Sequence, residues 1–229
     1  MRNLNICFLM VAFLIITTIS VAQDRPNIIF VFVDDLGGRD LPVYGNKFNE
    51  SPNIDRLAQE GMVFTDAYAA APVCSPTRAS LMSGQYPARV GIIDFIPGHW
   101  RPYEKVIVPK NRTKHLPLDI FTLGDMFQSN GYKTAMFGKW HIGSGKEYHA
   151  LARGFDVANE GQRYFNTRFN PPRDDYGDKI HMERISHFGI DFIREHKDEP
   201  FFLMLNHWAV HCKLDAEDSL IQKYLNNPK

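Results

Sequence analysis

The sequence predicts an α/β fold in which a mostly parallel sheet is flanked by helices. Two continuous apolar runs, residues 27–33 and 200–205, have the composition of strands that are buried on both faces. Segments with helical periodicity alternate with these runs, and such alternation is typical of a parallel sheet. The 229-residue chain is long enough to form one domain with its own core.

The first strand is predicted over residues 27–33, where β-branched and aromatic side chains follow one another without interruption. A short helix is expected over residues 52–60, and Gly61 ends it. Residues 62–68 then predict a further strand or extended segment that leads into the loop before Cys74.

The helix after Cys74 carries signals at both of its ends. Ser75 is predicted as the N-cap, Pro76 suits the first helical position, and Gly84 ends the helix. An irregular segment rich in Pro, Lys and Arg follows at residues 91–117, and we expect it to run over the surface.

The second half of the chain repeats the alternation of helix and strand. A helix capped by Thr122 is predicted over residues 123–130, and a strand follows at residues 132–137. Residues 178–196 predict a helix with one buried face, formed by Ile185, Phe188, Phe192 and Ile193. The last strand, residues 200–205, leads into a segment that ends at His211.

Residues 1–22 predict a cleavable secretory signal peptide, so the mature chain would comprise residues 23–229 and be secreted or periplasmic. Arg2 supplies the positive charge, residues 6–19 the apolar run, and residues 20–22 the small side chains of a cleavage site. The apolar run is short for a membrane span, which needs about 20 residues. We therefore expect no membrane span.

The charge and cysteine content argue against a nucleic-acid-binding protein and against a disulfide scaffold. Because the chain has 26 cationic and 26 anionic residues, nothing in its net charge attracts nucleic acid, and no nucleic-acid partner is expected. After removal of the leader only Cys74 and Cys212 remain, too few for a disulfide scaffold. Cys212 would then be a free thiol; a Cys74–Cys212 disulfide is the structural alternative, and it would abolish chemistry at Cys74.

Asp34 and Asp35 follow the first predicted strand directly. In parallel α/β sheets, ligands bind beyond the carboxyl ends of strands. Two adjacent carboxylates repel each other unless a cation or water screens them. The pair therefore indicates either a metal site or a polar turn before Gly37.

Cys74 and Arg78 place a reactive sulfur and a guanidinium one helical turn apart. Because helix N-termini favour anions and a guanidinium matches tetrahedral oxyanions, this arrangement indicates a sulfate or phosphate site. A tyrosine-phosphatase loop is excluded, since the position six residues after Cys74 is Ser80 and the one six after Cys212 is Asp218.

Lys139 and His141 lie two residues apart, just after the predicted strand 132–137. In extended chain both side chains would emerge on one face. Gly138 allows another backbone or a ligand to come close. A cation beside an imidazole suits an anion that undergoes proton transfer; a solvated lysine and a loop histidine are the alternative.

Four elements together resemble the formylglycine-dependent (type I) sulfatases, with arylsulfatase-like and N-acetylgalactosamine-6-sulfatase-like members the nearest. They occur in family order: Asp34-Asp35, Cys74-Ser75-Pro76-Thr77-Arg78, Gly131-Tyr132 with Gly138-Lys139-Trp140-His141, and Phe201-Phe202-Leu203 with Ala209-Val210-His211. The resemblance implies an alkaline-phosphatase-like sulfatase core. Residues 23–229 would be the N-terminal part of the catalytic domain, incomplete at the C-terminal end.

The resemblance also implies a nucleophile and a metal. In this family a formylglycine-generating enzyme oxidises the signature cysteine, here Cys74, to formylglycine (3-oxoalanine), whose aldehyde hydrate attacks sulfur. Asp34, Asp35 and Cys74 would contact a divalent cation, Ca²⁺ in this family. All-oxygen ligands agree with such a hard ion.

The remaining roles follow from the same resemblance. Arg78 would hold the formylglycine hydrate and Lys139 would clamp the sulfate oxygens. His141 would take the proton that expels sulfate, and His211 would contact or protonate the departing alcohol oxygen. The expected substrate is a sulfated carbohydrate or an aryl sulfate.

Two other functions stay open. One is a phosphonate or phosphodiester hydrolase of the same superfamily, which reuses this core. The other is an inactive, truncated paralogue that at most binds sulfated glycans. Family members complete the metal shell with a downstream Asp-Asn pair, and this sequence has no Asp-Asn-Gly.

Overall fold

A computed structural model describes residues 25–98, 112–159, 169–170, 181–211 and 216–226. The strands in these ranges are β1 (Ile28–Val33), β2 (Lys133–Gly138), β3 (Val157–Asn159), β4 (Phe169–Asn170) and β5 (Phe201–His207). The α-helices are α1 (Pro52–Glu60), α2 (Cys74–Ser83), α3 (Pro87–Val90), α4 (Leu123–Ser129), α5 (His181–Glu195) and α6 (Asp218–Asn226). Three short 3-10 helices lie at Pro42–Tyr44, Lys146–Tyr148 and Ala150–Ala152.

The five described strands form one sheet in the order β1-β5-β2-β3-β4. Neighbouring strands are parallel except β3 and β4, which are antiparallel. The prediction of a mostly parallel sheet flanked by helices is therefore confirmed. The register pairs Val33 of β1 with His207 of β5, and Asn206 of β5 with Gly138 of β2. Consequently the carboxyl ends of β1, β5 and β2 lie side by side.

Apolar clusters pack on the two faces of the sheet. On one face α5 contacts β5 and β2, and Phe188 and Phe192 pack with Phe137, Phe201 and Leu203. Burying each such aromatic side chain contributes about 1.5–3 kcal/mol. The predicted helical face is thus confirmed, while residues 178–180 of the predicted helix lie outside the described residues.

The other face holds the larger cluster. Its buried members come from α2, α3, β2, β3, β5 and the segments between these elements, and they include Met82, Ile92, Leu116, Trp140 and Phe202. Ile92 and Leu116 belong to the segment 91–117 that was predicted to run over the surface. That prediction is wrong at these two positions, because both side chains fill the core; residues 99–111 lie outside the described ranges.

The α4 helix begins as predicted. Thr122 accepts a hydrogen bond from the backbone N–H of Asp125, and the Asp125 side chain accepts one from the backbone of Thr122, which completes a capping box. The segment after α4 then enters β2 at Lys133. Both elements confirm the predictions to within one residue at either end.

The start of α2 differs from the prediction. The helix begins at Cys74 with Val73 as its N-cap, so Ser75 is a helical residue and not the N-cap, and Pro76 is not the first helical residue. The hydroxyl of Ser75 is instead engaged by the backbone N–H of Ile96 at 3.0 Å. Gly84 ends the helix in the left-handed conformation, as expected.

The prediction that β1 is buried on both faces is also wrong. Ile29 and Val31 of β1 are 49% and 57% exposed, so one face of this strand is open among the described residues. The α5 helix packs on β5 and β2, whereas β1 is the edge strand of the described sheet. Of the two alternatives predicted for residues 62–68, the strand is not found, and the large apolar side chains of this segment are exposed.

The sequence patterns did not indicate α3, the short strands β3 and β4, or α6. Each of these strands has three residues or fewer, which is too short to show the alternation of a strand. The described helices include none that is both long and apolar enough to cross a bilayer.

Candidate active site

The candidate site lies where β1, β5 and β2 end. Asp34 follows β1, and its backbone pairs with the turn after β5: its N–H donates to Ala209 O at 2.8 Å and its carbonyl accepts from Val210 N at 2.6 Å. Lys139 follows β2, and its N–H donates to Asn206 O at 2.8 Å. These backbone hydrogen bonds bring residues that are distant in sequence together at the carboxyl ends of the three strands.

Asp34 is the centre of a buried ion cluster. Its Oδ1 accepts from Arg78 Nη2 at 2.9 Å, and its Oδ2 forms a short ion pair with Lys139 Nζ. All three side chains are at least 94% buried. Burial raises the pKa of the Asp34 carboxyl, but the hydrogen bonds and charges of Lys139 and Arg78 outweigh burial and hold that pKa below its usual value.

Arg78 is fixed by contacts on several sides. Besides Asp34, its guanidinium donates to the carbonyl oxygen of Lys139 at 2.6 Å and lies over the Phe32 ring, 4.8 Å from the centroid. Burial lowers the pKa of Arg78, while Asp34 and, more weakly, Cys74 and Asp35 raise it. The Nε of this buried cation has no hydrogen-bond partner among the described residues.

Lys139 is positioned by the end of β2. Gly138, with φ of 109°, lies against the carbonyl oxygen of Asn206, which confirms the close backbone approach predicted at this glycine. The Lys139 ammonium sits 4.9 Å from the centroid of the Trp208 ring. The cation is therefore held between a carboxylate and an aromatic face.

Cys74 is the first residue of α2 and is partly buried. The N–H groups of a first helical turn lack partners within the helix, so this end favours negative charge. Cys74 forms no disulfide with any described residue, and it lies one helical turn before Arg78. The alternative disulfide partner, Cys212, lies outside the described residues.

His141 does not continue an extended chain. Its φ of 59° is left-handed, so the prediction that Lys139 and His141 emerge together from extended backbone is wrong. Its Nε2 is hydrogen-bonded to the carbonyl oxygen of Ile96. Burial lowers the pKa of His141, and the charges of Lys139 and Arg78 lower it further, against opposing contributions from Ile96 and Asp34.

Asp35 and His211 lie beside the ion cluster and nearer to solvent. The Asp35 side chain is 54% exposed, and its Oδ2 lies 3.9 Å from Nε2 of His211. Asp35 also has a left-handed φ of 59°, a conformation that Asp and His adopt more often than most side chains. One ligand atom each of Asp34, Asp35 and His211 lie within 4.8 Å of one another.

This group of three differs from the metal set that the family resemblance implies. That set consists of Asp34, Asp35 and Cys74, whereas the group in the described residues contains His211 in place of Cys74. The two aspartates agree between the sets. Each carboxylate oxygen of Asp34 accepts from one cation, Arg78 or Lys139. Because a carboxylate oxygen has two lone pairs, each oxygen keeps one with which Asp34 can still bind a metal cation.

Several contacts of the site were not predicted from the sequence. Phe32 supports Arg78, Trp208 supports Lys139, and the Ile96 carbonyl holds His141. Asn206 is 97% buried, and its Oδ1 has no hydrogen-bond partner in the described part of the chain. The signal that could have found Asn206 is its position at the carboxyl end of a predicted strand.

Comparisons with known proteins agree on one family. The sulfatase family model matches residues 26–226. N-acetylgalactosamine-6-sulfatase of Sus scrofa is 40% identical over 135 residues, which cover 59% of this chain and 25% of that protein. The chain thus aligns with only a quarter of the length of this relative.

Solved structures agree on the fold as well. Ps i-CgsB in complex with k-i-k-neocarrahexaose is 29% identical, with a TM-score of 0.69 over 90% of this chain and 50% of that one. A protein solved with its substrate D-glucosamine-2-N,6-O-disulfate is 27% identical, with a TM-score of 0.69 over 89% of this chain and 38% of that one. The chain belongs to the sulfatase family, whose members are sulfuric ester hydrolases.

Proposed function

We propose that this protein hydrolyses sulfate esters of carbohydrates, with residue 74 as the site of nucleophilic attack. The observation that carries the proposal is the position of Cys74 at the N-terminus of α2, one turn before Arg78. Arg78 in turn contacts Asp34 and the backbone of Lys139. A reactive side chain, two cations and a carboxylate thus belong to one cluster, as transfer of an anionic group requires.

Residue 74 in the mature protein would be formylglycine, installed by a formylglycine-generating enzyme. Its hydrate would supply one hydroxyl as nucleophile and a second hydroxyl for release of sulfate. Residue 74 is partly buried at a helix N-terminus, one turn before Arg78, so the hydrate would lie where negative charge is favoured. Arg78 would hold the modified side chain in place.

Lys139 would bind the sulfate oxygens. Its ammonium is buried against Asp34 and the Trp208 ring, so little of its charge is screened by water. The negative charge that spreads over the sulfate oxygens in the transition state would be stabilised by this cation. Pre-organised charges of this kind contribute about 10²–10³ in rate.

His141 would accept the proton whose removal releases sulfate from residue 74. A base must be neutral to accept a proton, and burial beside two cations lowers the pKa of His141. His211 would contact or protonate the departing alcohol oxygen. It lies at the more exposed side of the cluster, next to Asp35.

Asp34 and Asp35 would hold a divalent cation, with formylglycine as a further ligand, and Ca²⁺ is the ion that the family implies. Ca²⁺ prefers oxygen ligands, so the proposal keeps the two carboxylates as ligands and reserves His211 for the alcohol. The cation would neutralise part of the negative charge of the two carboxylates and of the bound sulfate group.

The substrate class rests on the proteins that this chain resembles. They are an N-acetylgalactosamine-6-sulfatase, a protein in complex with k-i-k-neocarrahexaose and a protein in complex with its substrate D-glucosamine-2-N,6-O-disulfate. We therefore place sulfated carbohydrate before aryl sulfate. The protein would also be exported, since residues 1–22 have the pattern of a signal peptide. A mature N-terminus at Gln23, found by sequencing protein from its native source, would support export.

The test is turnover by chain co-produced with a formylglycine-generating enzyme and checked by mass spectrometry for the aldehyde at residue 74. Sulfated monosaccharides and 4-nitrophenyl sulfate are compared with a phosphate diester and a phosphonate ester. Preferential release of sulfate, abolished by Cys74→Ala, supports the proposal. Faster turnover of the phosphorus esters would favour the second hydrolase, and binding of sulfated glycans without turnover would favour the inactive paralogue.

A further inference from the structure

Ile96 is held at both its backbone N–H and its backbone carbonyl by residues of the candidate site. Its backbone N–H donates to Oγ of Ser75 at 3.0 Å, and its carbonyl oxygen is hydrogen-bonded to Nε2 of His141. Ser75 is fully buried and directly follows Cys74 in α2. One backbone residue therefore connects the helix of the nucleophile to the histidine proposed as base.

The carbonyl of Ile96 determines which nitrogen of His141 carries hydrogen. A carbonyl oxygen can only accept, so Nε2 must be the donor in this hydrogen bond. A neutral imidazole then keeps its lone pair on Nδ1. This Nδ1 is buried and has no hydrogen-bond partner among the described residues, so the structure leaves one ring nitrogen available to accept a proton.

Asp94 and Arg112 also stabilise the loop around Ile96. Asp94 accepts from the backbone N–H of Phe95 at 2.8 Å and pairs with Arg112 at 3.6 Å. Arg112 also donates to the carbonyl oxygen of Pro97 at 3.2 Å. These bonds hold the ends of the loop, whereas the bond from Ile96 to Ser75 fixes the loop against α2.

We propose that Ser75 is a positioning residue for the sulfatase reaction: by accepting the N–H of Ile96 it places the carbonyl that fixes His141 as the Nε2–H tautomer, with Nδ1 as the proton acceptor. This inference rests on the proposed function of His141. The proton would pass from the free hydroxyl of the sulfated hydrate at residue 74 to Nδ1. The aldehyde C=O would form as the bond from its carbon to the sulfate oxygen breaks, and sulfate would leave. The N–H at Nε2 would stay hydrogen-bonded to the carbonyl oxygen of Ile96. An alanine at position 75 removes the acceptor, and a threonine keeps it.

The first test reads the tautomer without any turnover. Chain with ¹⁵N-labelled histidine is studied by ¹⁵N–¹H NMR of the imidazoles, and His141→Gln identifies the His141 signals. We expect the Nε2–H tautomer in the unsubstituted chain and in Ser75→Thr, and a mixture of tautomers in Ser75→Ala. Ser83→Ala is the control, because the Ser83 hydroxyl lies on the same helix but donates to Ala79 O at 2.6 Å.

An Nδ1–H tautomer in the unsubstituted chain would overturn the inference, as would an unchanged tautomer in folded Ser75→Ala. If Ser75→Ala does not fold, Ser75→Cys takes its place, since a thiol at this position is a much weaker acceptor. A tautomer mixture in that variant would support the inference, and a single Nε2–H form would overturn it.

The second test uses chain with formylglycine at residue 74. Ser75→Ala is expected to lower kcat about 100-fold with KM unchanged, since correct proton transfer contributes about 10²–10⁴ in rate. Ser75→Thr should restore most of kcat, and Ser83→Ala should not change it. A kcat unaffected by Ser75→Ala would overturn the catalytic part. Absence of turnover in the unsubstituted chain would count against the proposed function, while the NMR comparison would still decide the role of Ser75.

Discussion

A Cβ atom added to Gly138 would lie 2.0 Å from the carbonyl oxygen of Asn206. The two backbones approach this closely at the end of the paired strands β2 and β5, and the next residue, Lys139, donates its N–H to the same oxygen at 2.8 Å. The absence of a side chain at position 138 is therefore what lets the strand ends place Lys139 next to Asp34.

Gly138→Ala should destabilise the chain strongly. The φ of 109° and the contact with Asn206 O both oppose a side chain, and together they should cost about 3 kcal/mol or more. Gly84→Ala is the matched control: it also has positive φ, but no atom lies within 4 Å of the added Cβ, so we expect a cost of about 1–2 kcal/mol. Urea unfolding followed by circular dichroism measures both, and equal losses would contradict the argument from close approach.

Asp34→Asn should also lower stability, because it leaves the buried cations of Arg78 and Lys139 without a carboxylate. Breaking a buried ion cluster on one side costs about 3–5 kcal/mol. Asp198→Asn is the control, since Asp198 is exposed and pairs only loosely with Lys197 at 3.7 Å. If thermal unfolding gave similar midpoints for the two variants, the cluster would not be a stabilising feature.

Lys139→Met should reduce sulfate ester turnover by about 100-fold or more, since it removes the buried cation that would face the sulfate oxygens. The methionine keeps an unbranched apolar side chain beside the Trp208 ring. Lys133→Met, at the exposed start of β2, serves as the control. The measurement is kcat/KM with 4-nitrophenyl sulfate on converted chain, and activity retained within a factor of two would count against this role.

Stability should fall on acidification because of His141. Its pKa in the folded chain is lowered, so the unfolded chain takes up the proton first as the pH falls. The contribution of neutral His141 is therefore complete above about pH 6.5 and is lost as the pH falls toward its folded pKa. Asp34 also has a lowered pKa and stays ionised at pH 5, so it does not contribute in this window.

The experiment compares unfolding free energies at pH 7.5 and pH 5 for the unsubstituted chain and for His141→Gln. We expect the variant to lose less stability over this interval, since glutamine does not titrate. An identical loss in both proteins would show that His141 is not responsible.

Ca²⁺ should stabilise the folded chain through the two aspartates. A ligand that binds only the folded state contributes about 2.7 kcal/mol at 100 times its Kd. Thermal unfolding with CaCl₂ and with EDTA should therefore differ for the unsubstituted chain and much less for Asp35→Asn. Asp66→Asn is the control, because the Asp66 side chain accepts only from the neighbouring Thr65 among the bonds of the described residues. A Ca²⁺ effect of equal size in Asp35→Asn would exclude Asp35 as a ligand.

The sequence predicts well the features that follow from helix caps and from the positions of strand ends. Thr122 lies at the start of α4 because its hydroxyl caps that helix, and Asp34 and Lys139 meet because each follows a strand of one parallel sheet. The convergence of these two residues could be expected from strand ends alone. Their family motifs pointed the same way.

The remaining features depend on long-range contacts. Serine is a residue type that favours the N-cap position, but the helix begins one residue before Ser75, at Cys74. The Ser75 hydroxyl instead accepts a hydrogen bond from the backbone N–H of Ile96, 21 residues away. The left-handed backbone of His141 and the exposure of Ile29 are likewise set by neighbours that no local pattern specifies. The same holds for Arg78, whose contact with Asp34 depends on how α2 sits against the sheet.

The formal charges at the candidate site bear on how a sulfate ester would be captured. The carboxylates of Asp34 and Asp35 and the cations of Arg78 and Lys139 balance in formal charge, so these four groups alone offer no net attraction for an anionic ester. A divalent cation would make this balance positive. Electrostatic capture of a sulfate ester would then depend on the metal, and the association rate, in addition to the chemical step, should respond to its removal.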